Sequence, residues 1–328
     1  MTIIPSINDL GITLIDTLHN RPGFTASYLL EEGDQAVIIE TGPPTSAPII
    51  LNALIKKGLP LTSVVAVIVT HVHLDHAGGA GYLIQHLPNA RLLVHPKGAR
   101  HLINPDKLVT GAQEVYGENI FNTLLGYPIP VANDRIDTPA EGDTFTFNNR
   151  TLTFLHTLGH SKHHFCIWDE QTSSIFTGDT HGISYRAFDS PKGIFLFPAT
   201  TPVHFDPDAA HHSIDRIAAL KPQWLHFTHF GSVPYNRTLS DDLHRLLDRI
   251  RIFAKAQDHP LSGCHTRLAA GIEKILFSRL NRLGNVLSRA ESQKLLFMDI
   301  QLNALGLEHW INSLASTPKG EPSHIITT

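Results

Sequence analysis

The segment 71–76 constrains this chain most strongly, because it reads HVHLDH and so places three imidazoles beside one carboxylate. It comes directly after an apolar run that is typical of a buried β-strand. Residues two apart in an extended chain lie on one face, so His71 and His73 aim at one point. Asp75 and His76, at the turn into a helix, face a second point nearby. Imidazoles with one or two carboxylates suit zinc, iron or manganese better than calcium or magnesium, so the motif predicts a metal centre.

The size and charge of the chain restrict the partners that it can have. Its 328 residues exceed the usual size of one domain, which favours a large α/β domain with a smaller attachment. The 42% of hydrophobic residues is enough for a substantial core. A formal net charge of −4 provides no basic field for a phosphate backbone. We therefore expect a small-molecule substrate and no nucleic-acid partner.

Cysteine content and apolar runs bear on the compartment. Cys166 and Cys264 are the two cysteines, too few for a disulfide framework or a thiolate metal site. No uninterrupted apolar run approaches the roughly 18 residues of a membrane span, and the first residues do not resemble a signal peptide. We predict a cytoplasmic protein that does not bind membranes.

The spacing of apolar residues predicts two groups of strands followed by helices. In the first group we expect strands at 12–16, 24–30, 35–40, 64–70 and 90–94, with helices at 48–57 and 78–86. In the second group we expect strands at 144–147, 151–156, 164–168, 174–177 and 224–228, with a helix at 208–220. Beyond Gly231 the strand pattern stops, and helices are predicted at 238–256, 263–281 and 293–315.

These patterns suggest an organisation in three parts. A catalytic domain covers 1–235, and within it the weakly periodic stretch 96–135 is predicted to be an irregular insertion that acts as a lid or binding loop. A helical C-terminal extension covers 236–317, and a flexible tail covers 318–328. The first helix of the extension carries an apolar stripe, which packs on the main domain or forms a homodimer interface. The stripe consists of Leu246, Leu247, Ile250 and Phe253.

Further metal ligands are expected, because the four donors of the first motif cannot complete two metal sites. Three candidates each follow a predicted strand. They are His160 in a Gly-His-Ser sequence, Asp179 in Phe-Thr-Gly-Asp, and His229 in Thr-His-Phe-Gly. Their shared position at strand ends suggests that they meet the first cluster.

The order of these four motifs resembles that of the metallo-β-lactamase fold superfamily, over roughly residues 12 to 231, and glyoxalase-II-like hydrolases most of all. The resemblance implies an α/β fold, an αββα sandwich with the metals at one edge of its sheets, here with a helical C-terminal appendage. It also implies two divalent metal ions, with zinc as first choice and iron or manganese as alternatives. The implied ligands are His71, His73 and His160 for one metal, Asp75, His76 and His229 for the other, and Asp179 as the bridge. One departure is Glu40, which stands where members often carry an aspartate.

The ligand set implies a hydrolytic mechanism. Water held by zinc ionises near pH ~7, which supplies a metal-bridging hydroxide that would attack a small ester, thioester, lactone or amide. Asp75 is our candidate for orienting the hydroxide and for passing a proton to the leaving group. Substrate contacts are expected from the insertion 96–135 and from the C-terminal helices. The candidates are His101, Tyr116, Tyr127, Tyr185 and Arg186.

Two other functions fit the same motifs. A mononuclear iron persulfide dioxygenase uses two histidines and one carboxylate, and related proteins of that kind resemble this sequence. A non-enzymatic sensor would keep the metals and bind a signal molecule under the helical extension. The number and identity of the metals separate the hydrolase from the dioxygenase.

Overall fold

Two facing β-sheets form the centre of the protein in the computed structural model, which describes residues 7–257 and 263–316. Each sheet has six strands. The first contains β1 (Ile12–Asp16), β2 (Ala26–Glu32), β3 (Gln35–Ile39), β4 (Val64–Ile68), β5 (Arg91–Leu93) and β6 (Ile136–Asp137). The second contains β7 (Thr144–Phe147), β8 (Arg150–His156), β9 (Phe165–Asp169), β10 (Ser174–Gly178), β11 (Trp224–Phe227) and β12 (Gly231–Pro234).

Helices cover the outer faces of both sheets. The first half of the chain supplies α1 (Ala47–Lys56), α2 (Leu74–Ala77), α3 (Ala80–His86), α4 (Ala99–Ile103), α5 (Asp106–Tyr116) and α6 (Glu118–Ile120). The second half supplies α7 (Pro207–Ala219), α8 (Arg237–Lys255), α9 (Cys264–Leu283) and α10 (Arg289–Ser316). Helices α1 and α3 pack on the first sheet, and α7 to α10 pack on the second. A separate apolar core fills the space between the sheets, where Ile39 and Ile68 meet Phe154 and Phe165. The predicted αββα sandwich with a helical C-terminal segment is confirmed.

Strand direction decides where the predicted ligands emerge. In the first sheet the strands lie in chain order, and β3 to β6 run parallel. In the second sheet β8 and β10 are both antiparallel to β9, and β11 is parallel to β10. Strands β8, β10 and β11 therefore point the same way, and the segments that follow them leave from one edge. Those segments carry His160, Asp179 and His229.

The stretch 96–135 was predicted to be irregular, and that prediction is wrong. It forms α4, α5 and α6, followed by a π-helical turn at Phe121–Leu125. Phe121 and Leu125 are buried against Leu74, while much of α5 and α6 remains exposed. Helices this short, with little buried surface, leave only a weak apolar period in the sequence, which explains why the pattern missed them.

Two strands were also missed. β6 has two residues, and β12 begins at Gly231, where the strand signal was expected to stop. Both lie at or near a sheet edge, where alternation is short. The stripe on α8 packs inside the chain, with Leu246, Leu247 and Ile250 buried, and the homodimer stays a prediction. The tail 318–328 lies outside the described residues, and the domain boundaries remain predictions. Within the described ranges no helix is both long and apolar enough to cross a bilayer.

Candidate metal centre

Three imidazoles converge where the first sheet meets the second. His71 and His73 follow β4 in extended chain, and His71 Nε2 lies 2.9 Å from His73 Nδ1. His160, which follows β8, places its Nε2 3.2 Å from His71 Nε2 and 3.1 Å from His73 Nδ1. Ligand atoms this close can share one ion.

A second group forms beside the first. His229 Nε2 lies 3.3 Å from Asp75 Oδ2, and His76 Nε2 lies 3.7 Å from the same oxygen. Asp179 stands between the two groups. Its Oδ1 is 3.3 Å from His76 Nε2, and its Oδ2 is 3.6 Å from His160 Nε2. The structure thus brings all seven predicted ligands together, with Asp179 in the position of a bridge.

The hydrogen bonds behind the cluster show that it fits divalent metals. His160 Nδ1 faces the Ala199 carbonyl at 3.2 Å, and His229 Nδ1 faces the Phe24 carbonyl at 3.0 Å. A carbonyl oxygen only accepts, so both rings donate from Nδ1, and in the neutral ring Nε2 then carries a lone pair. The same pattern, with a carboxylate or carbonyl behind the ring, is usual for metal-binding histidines.

The surroundings of His76 give the most direct sign that the cluster suits a cation. Its Nδ1 lies 3.0 Å from Glu40 Oε2, so Nε2 points towards Asp179. His76 Nε2 and Asp179 Oδ1 are buried and have no hydrogen-bond partner among the described residues. These two atoms face each other at 3.3 Å, so a proton or a metal cation is needed between them. A divalent ion satisfies both atoms.

The electrostatics of the two groups differ in a way that suits metal binding. Burial, together with the neighbouring imidazoles, holds the pKa of His71 and of His73 well below the usual value, so both remain neutral donors. Burial also opposes charge on His76, but Asp179, Asp75 and Glu40 outweigh it and raise its pKa to about 10. The carboxylates therefore create a strong preference for positive charge at the centre of the cluster.

A cavity of ≈ 300 Å³ opens above these ligands. Asp75, Asp179 and His229 form part of its floor. Its walls are mainly apolar, and much of them comes from two helices that are far apart in sequence, α5 and α10, with a further part from the loop 201–204. The apolar wall residues include Leu108, Ala112, Val115, Met298 and Leu302.

The five predicted substrate residues fall into two sets. His101 and Tyr116 line the cavity. Tyr127 is 62% exposed on the outside of the insertion, and its ring packs on Phe121. The placement differs from expectation because the insertion is helical and turns Tyr127 away from the cavity.

The remaining two candidates, Tyr185 and Arg186, do not line the cavity. Tyr185 is buried and donates a hydrogen bond to Asp299, at 2.9 Å. Arg186 is tied to the Ser184 carbonyl at 2.7 Å and to Asp189 at 3.1 Å. Proximity in sequence to Asp179 did not bring either side chain to the cavity, although Ile183, which lies between Asp179 and Tyr185 in the sequence, does line it.

Comparison with known proteins agrees with this geometry. The family model described as the metallo-beta-lactamase superfamily matches residues 20–229, well over half of the chain. The chain belongs to the metallo-beta-lactamase superfamily. The predicted resemblance is confirmed at this level, and the glyoxalase-II-like branch stays a prediction.

Individual members of the superfamily match parts of the chain. The atrochrysone carboxyl ACP thioesterase of Aspergillus chevalieri is 27% identical over 191 residues, which are 55% of this chain and 50% of that protein. The metallo-beta-lactamase fold-containing protein ST1585 of Sulfurisphaera tokodaii is 25% identical over 189 residues, 57% of this chain and 67% of that one. The chain spans about half the length of the thioesterases that it matches.

Two solved structures share the fold. The crystal structure of ST1585 aligns with a TM-score of 0.65 and 21% identity, covering 90% of this chain and 98% of the other. The metallo-beta-lactamase family protein TTHA1429 of Thermus thermophilus aligns with a TM-score of 0.63 and 18% identity, covering 95% and 97%. At these identities the similarity concerns the fold alone.

Two residues that support the superfamily motifs were not predicted as part of the site. Glu40 accepts the backbone N–H of Thr70 at 2.9 Å through Oε1, while its other oxygen holds His76. It thus holds both ends of the first ligand segment, at Thr70 and at His76. The turn 40–42 was noted as a departure, and a search for a carboxylate behind a ligand histidine would have found it.

His164 is the second supporting residue, and no sequence pattern pointed to its role. Its Nε2 accepts the backbone N–H of Asp179 at 3.3 Å. Gly178 permits this approach, since it has a φ of +49° and a Cβ there would lie 2.5 Å from His164 Nε2. His164 therefore positions the bridging aspartate.

Proposed function

We propose that this protein is a metal-dependent hydrolase with a binuclear centre, acting on thioesters or related acyl compounds. The observation that supports it best is the pair of unpartnered atoms, His76 Nε2 and Asp179 Oδ1, inside a cluster of seven donors. That cluster forms the floor of a cavity large enough for a small substrate. A substrate held there would have its scissile bond against the metal ligands.

The seven side chains are assigned to two metal ions. His71, His73 and His160 would hold one ion, Asp75, His76 and His229 the other, and Asp179 both. When bound, two divalent ions would lower the pKa of water to near 7 and polarise the substrate carbonyl, as zinc does in hydrolases. We propose zinc as the metal, with iron or manganese as alternatives.

Asp75 is proposed as the residue that moves the proton. Its side chain is 16% exposed and lines the cavity, whereas that of Asp179 is 6% exposed and enclosed by imidazoles. Burial raises the pKa of Asp75, but His76 and His229 outweigh it and hold the pKa well below the usual value. A carboxylate that stays ionised can accept a proton from water and donate it to the leaving group.

Thioesters are the first substrate class to test. Several matched relatives carry the name thioesterase, including that of Aspergillus chevalieri and one of Emericella nidulans. The apolar walls suit an acyl chain, which gains free energy when it leaves water. Esters, lactones and amides stay in the proposed set because they present the same carbonyl chemistry.

The test combines metal removal with an acyl panel. The purified protein is stripped with a chelator, returned to zinc, manganese or iron in turn, and assayed with thioesters, esters, lactones and amides. We expect hydrolysis to disappear on stripping and to return with two equivalents of one metal. Hydrolysis that survives complete metal removal would overturn the proposal. Recovery with one iron, accompanied by oxygen consumption on a persulfide, would replace it with the dioxygenase.

A further inference from the structure

Helix α10 places one acidic side chain in the cavity wall, beside Met298, Leu302 and Asn303. Asp299 is 5% exposed and lines the cavity beside Met298 and Leu302. Its Oδ1 accepts the hydroxyl of Tyr185 at 2.9 Å, but its Oδ2 is buried and has no hydrogen-bond partner among the described residues. A carboxylate that lacks a partner costs free energy in an apolar setting, so its presence there needs an explanation.

The surroundings do not offer this oxygen a partner. Arg21 is near, but its guanidinium lies over the Tyr185 ring at 4.5 Å, and it donates to backbone carbonyls such as that of Gly23 at 3.3 Å. Burial raises the pKa of Asp299 to about 6, while His229, Tyr185 and Arg21 lower it more weakly. Burial therefore disfavours the charge of this carboxylate, and a hydrogen-bond donor at its free oxygen would stabilise it.

Helix α10 is held firmly, so Asp299 has a defined position. One turn further along, the Asn303 side chain accepts the Thr200 hydroxyl at 2.8 Å. Gly306 lies so close to the same loop that a Cβ there would be 1.7 Å from the Thr200 carbonyl oxygen. The Asn303 side-chain oxygen is thus used in seating the helix, whereas Asp299 keeps one oxygen without a bond. Asp299 lines the cavity, and the terminal torsion of an aspartate is broad, so the carboxylate can turn towards a bound group.

We propose that Asp299 binds a neutral hydrogen-bond donor on the substrate, so that the preferred acyl group is an apolar chain bearing a hydroxyl or an amide N–H. This rests on the proposed function and narrows its substrate class. The metal ligands on the cavity floor lie against the substrate carbonyl, and the apolar residues of α5 and α10 enclose the acyl chain. Asp299 then favours an acyl chain that bears a hydroxyl or amide N–H over a plain one. A cavity that lacked Asp299 would bind a plain chain better.

The test compares matched thioesters on the metal-loaded enzyme. Octanoyl thioesters are prepared plain, with a hydroxyl at successive chain positions, and with an amide N–H in place of a methylene. We expect at least one hydroxyl or amide compound to exceed the plain one in kcat/KM by about tenfold or more, because a polar site discriminates strongly against a substrate that leaves it unpaired. Comparing kcat/KM between the hydroxyl series and the amide series identifies which donor Asp299 binds.

Two variants make the result specific. Asp299→Asn keeps the shape and an acceptor for Tyr185 but presents an NH₂ group to the cavity, and Asp299→Leu removes the polar group. Both should retain the metal content of the wild type. Asp299→Leu should lose the preference for the donor-bearing substrate, mainly through KM, whereas Asp299→Asn can still donate its NH₂ group to a substrate hydroxyl and should lose less of it. Equal rates on all thioesters in the wild type, or an equal fall on all of them in Asp299→Leu, would overturn this inference and leave the hydrolase intact. Absence of any metal-dependent hydrolysis would instead overturn the proposed function.

Discussion

The floor and the walls of the cavity are built on different principles. The floor is polar, and its side chains leave the ends of strands in both sheets, where backbone carbonyls, Glu40 and His164 hold them in place. The walls are mainly apolar, and much of them comes from α5 and α10, which are fixed by packing and by close contacts such as that of Gly306. We therefore propose that the reaction depends on the sheets, while the choice of substrate depends on these helices.

The largest effect is expected from the floor. Asp179→Ala removes the side chain that faces both groups of ligands, and it should cost at least one metal equivalent. We expect kcat/KM to fall on the order of a thousandfold, about 4 kcal/mol of transition-state stabilisation. Elemental analysis and thioester kinetics provide the measurements, with Asp241→Ala on the exposed face of α8 as control. Two metals retained in Asp179→Ala would refute the bridging role.

A smaller effect on metal binding is expected from Glu40, which lies behind the metal ligands. Glu40→Gln keeps the side-chain volume but replaces one acceptor oxygen by an NH₂ group. The variant can therefore accept a hydrogen bond from His76 or from the Thr70 backbone, but not from both with separate oxygens. Metal affinity should fall by about 10–100-fold, which is typical when the group behind a ligand histidine is altered. Competition against a chromophoric chelator measures this affinity. Unchanged affinity would mean that Glu40 does not hold His76 in the metal-bound protein.

The walls should alter binding without altering the metals. Tyr116→Ala enlarges the cavity and removes a contact for the acyl chain, and we expect KM to rise about tenfold, near 1.4 kcal/mol. Tyr116→Phe serves as the conservative partner and separates the ring from the hydroxyl. Metal content should equal that of the wild type. Metal loss in Tyr116→Ala would show that floor and walls are not independent.

The smallest effect is expected outside the cavity. Tyr127 belongs to the same insertion as Tyr116 but is exposed on its outer surface. Tyr127→Ala should change kcat and KM by less than about twofold, as is usual for surface substitutions. A change in KM similar to that of Tyr116→Ala would indicate that the insertion moves during binding and that its outer face contributes.

The sequence predicted the floor much better than the walls, and the reason is physical. The seven ligands follow strands whose periodicity is strong, and strand direction then brings their segments to one edge. Glu40 and His164 act through single hydrogen bonds that leave no period in the sequence. Tyr127 was chosen because it lies in the insertion, and Tyr185 and Arg186 because they follow Asp179, but neither criterion determines the direction of a side chain. Asp299 lies 120 residues beyond Asp179, and its place in the wall depends on how α10 packs.

Metal stoichiometry measured together with thioester hydrolysis tests the central claim most directly. Protein purified without added metal is analysed for zinc, iron and manganese, and aliquots with graded metal content are assayed on one acyl thioester. We predict that activity rises with metal content and reaches its maximum near two ions per chain. Asp179→Ala should reach neither two ions per chain nor the maximal activity of the wild type. Maximal hydrolysis at one ion per chain, or hydrolysis independent of metal content, would contradict this prediction.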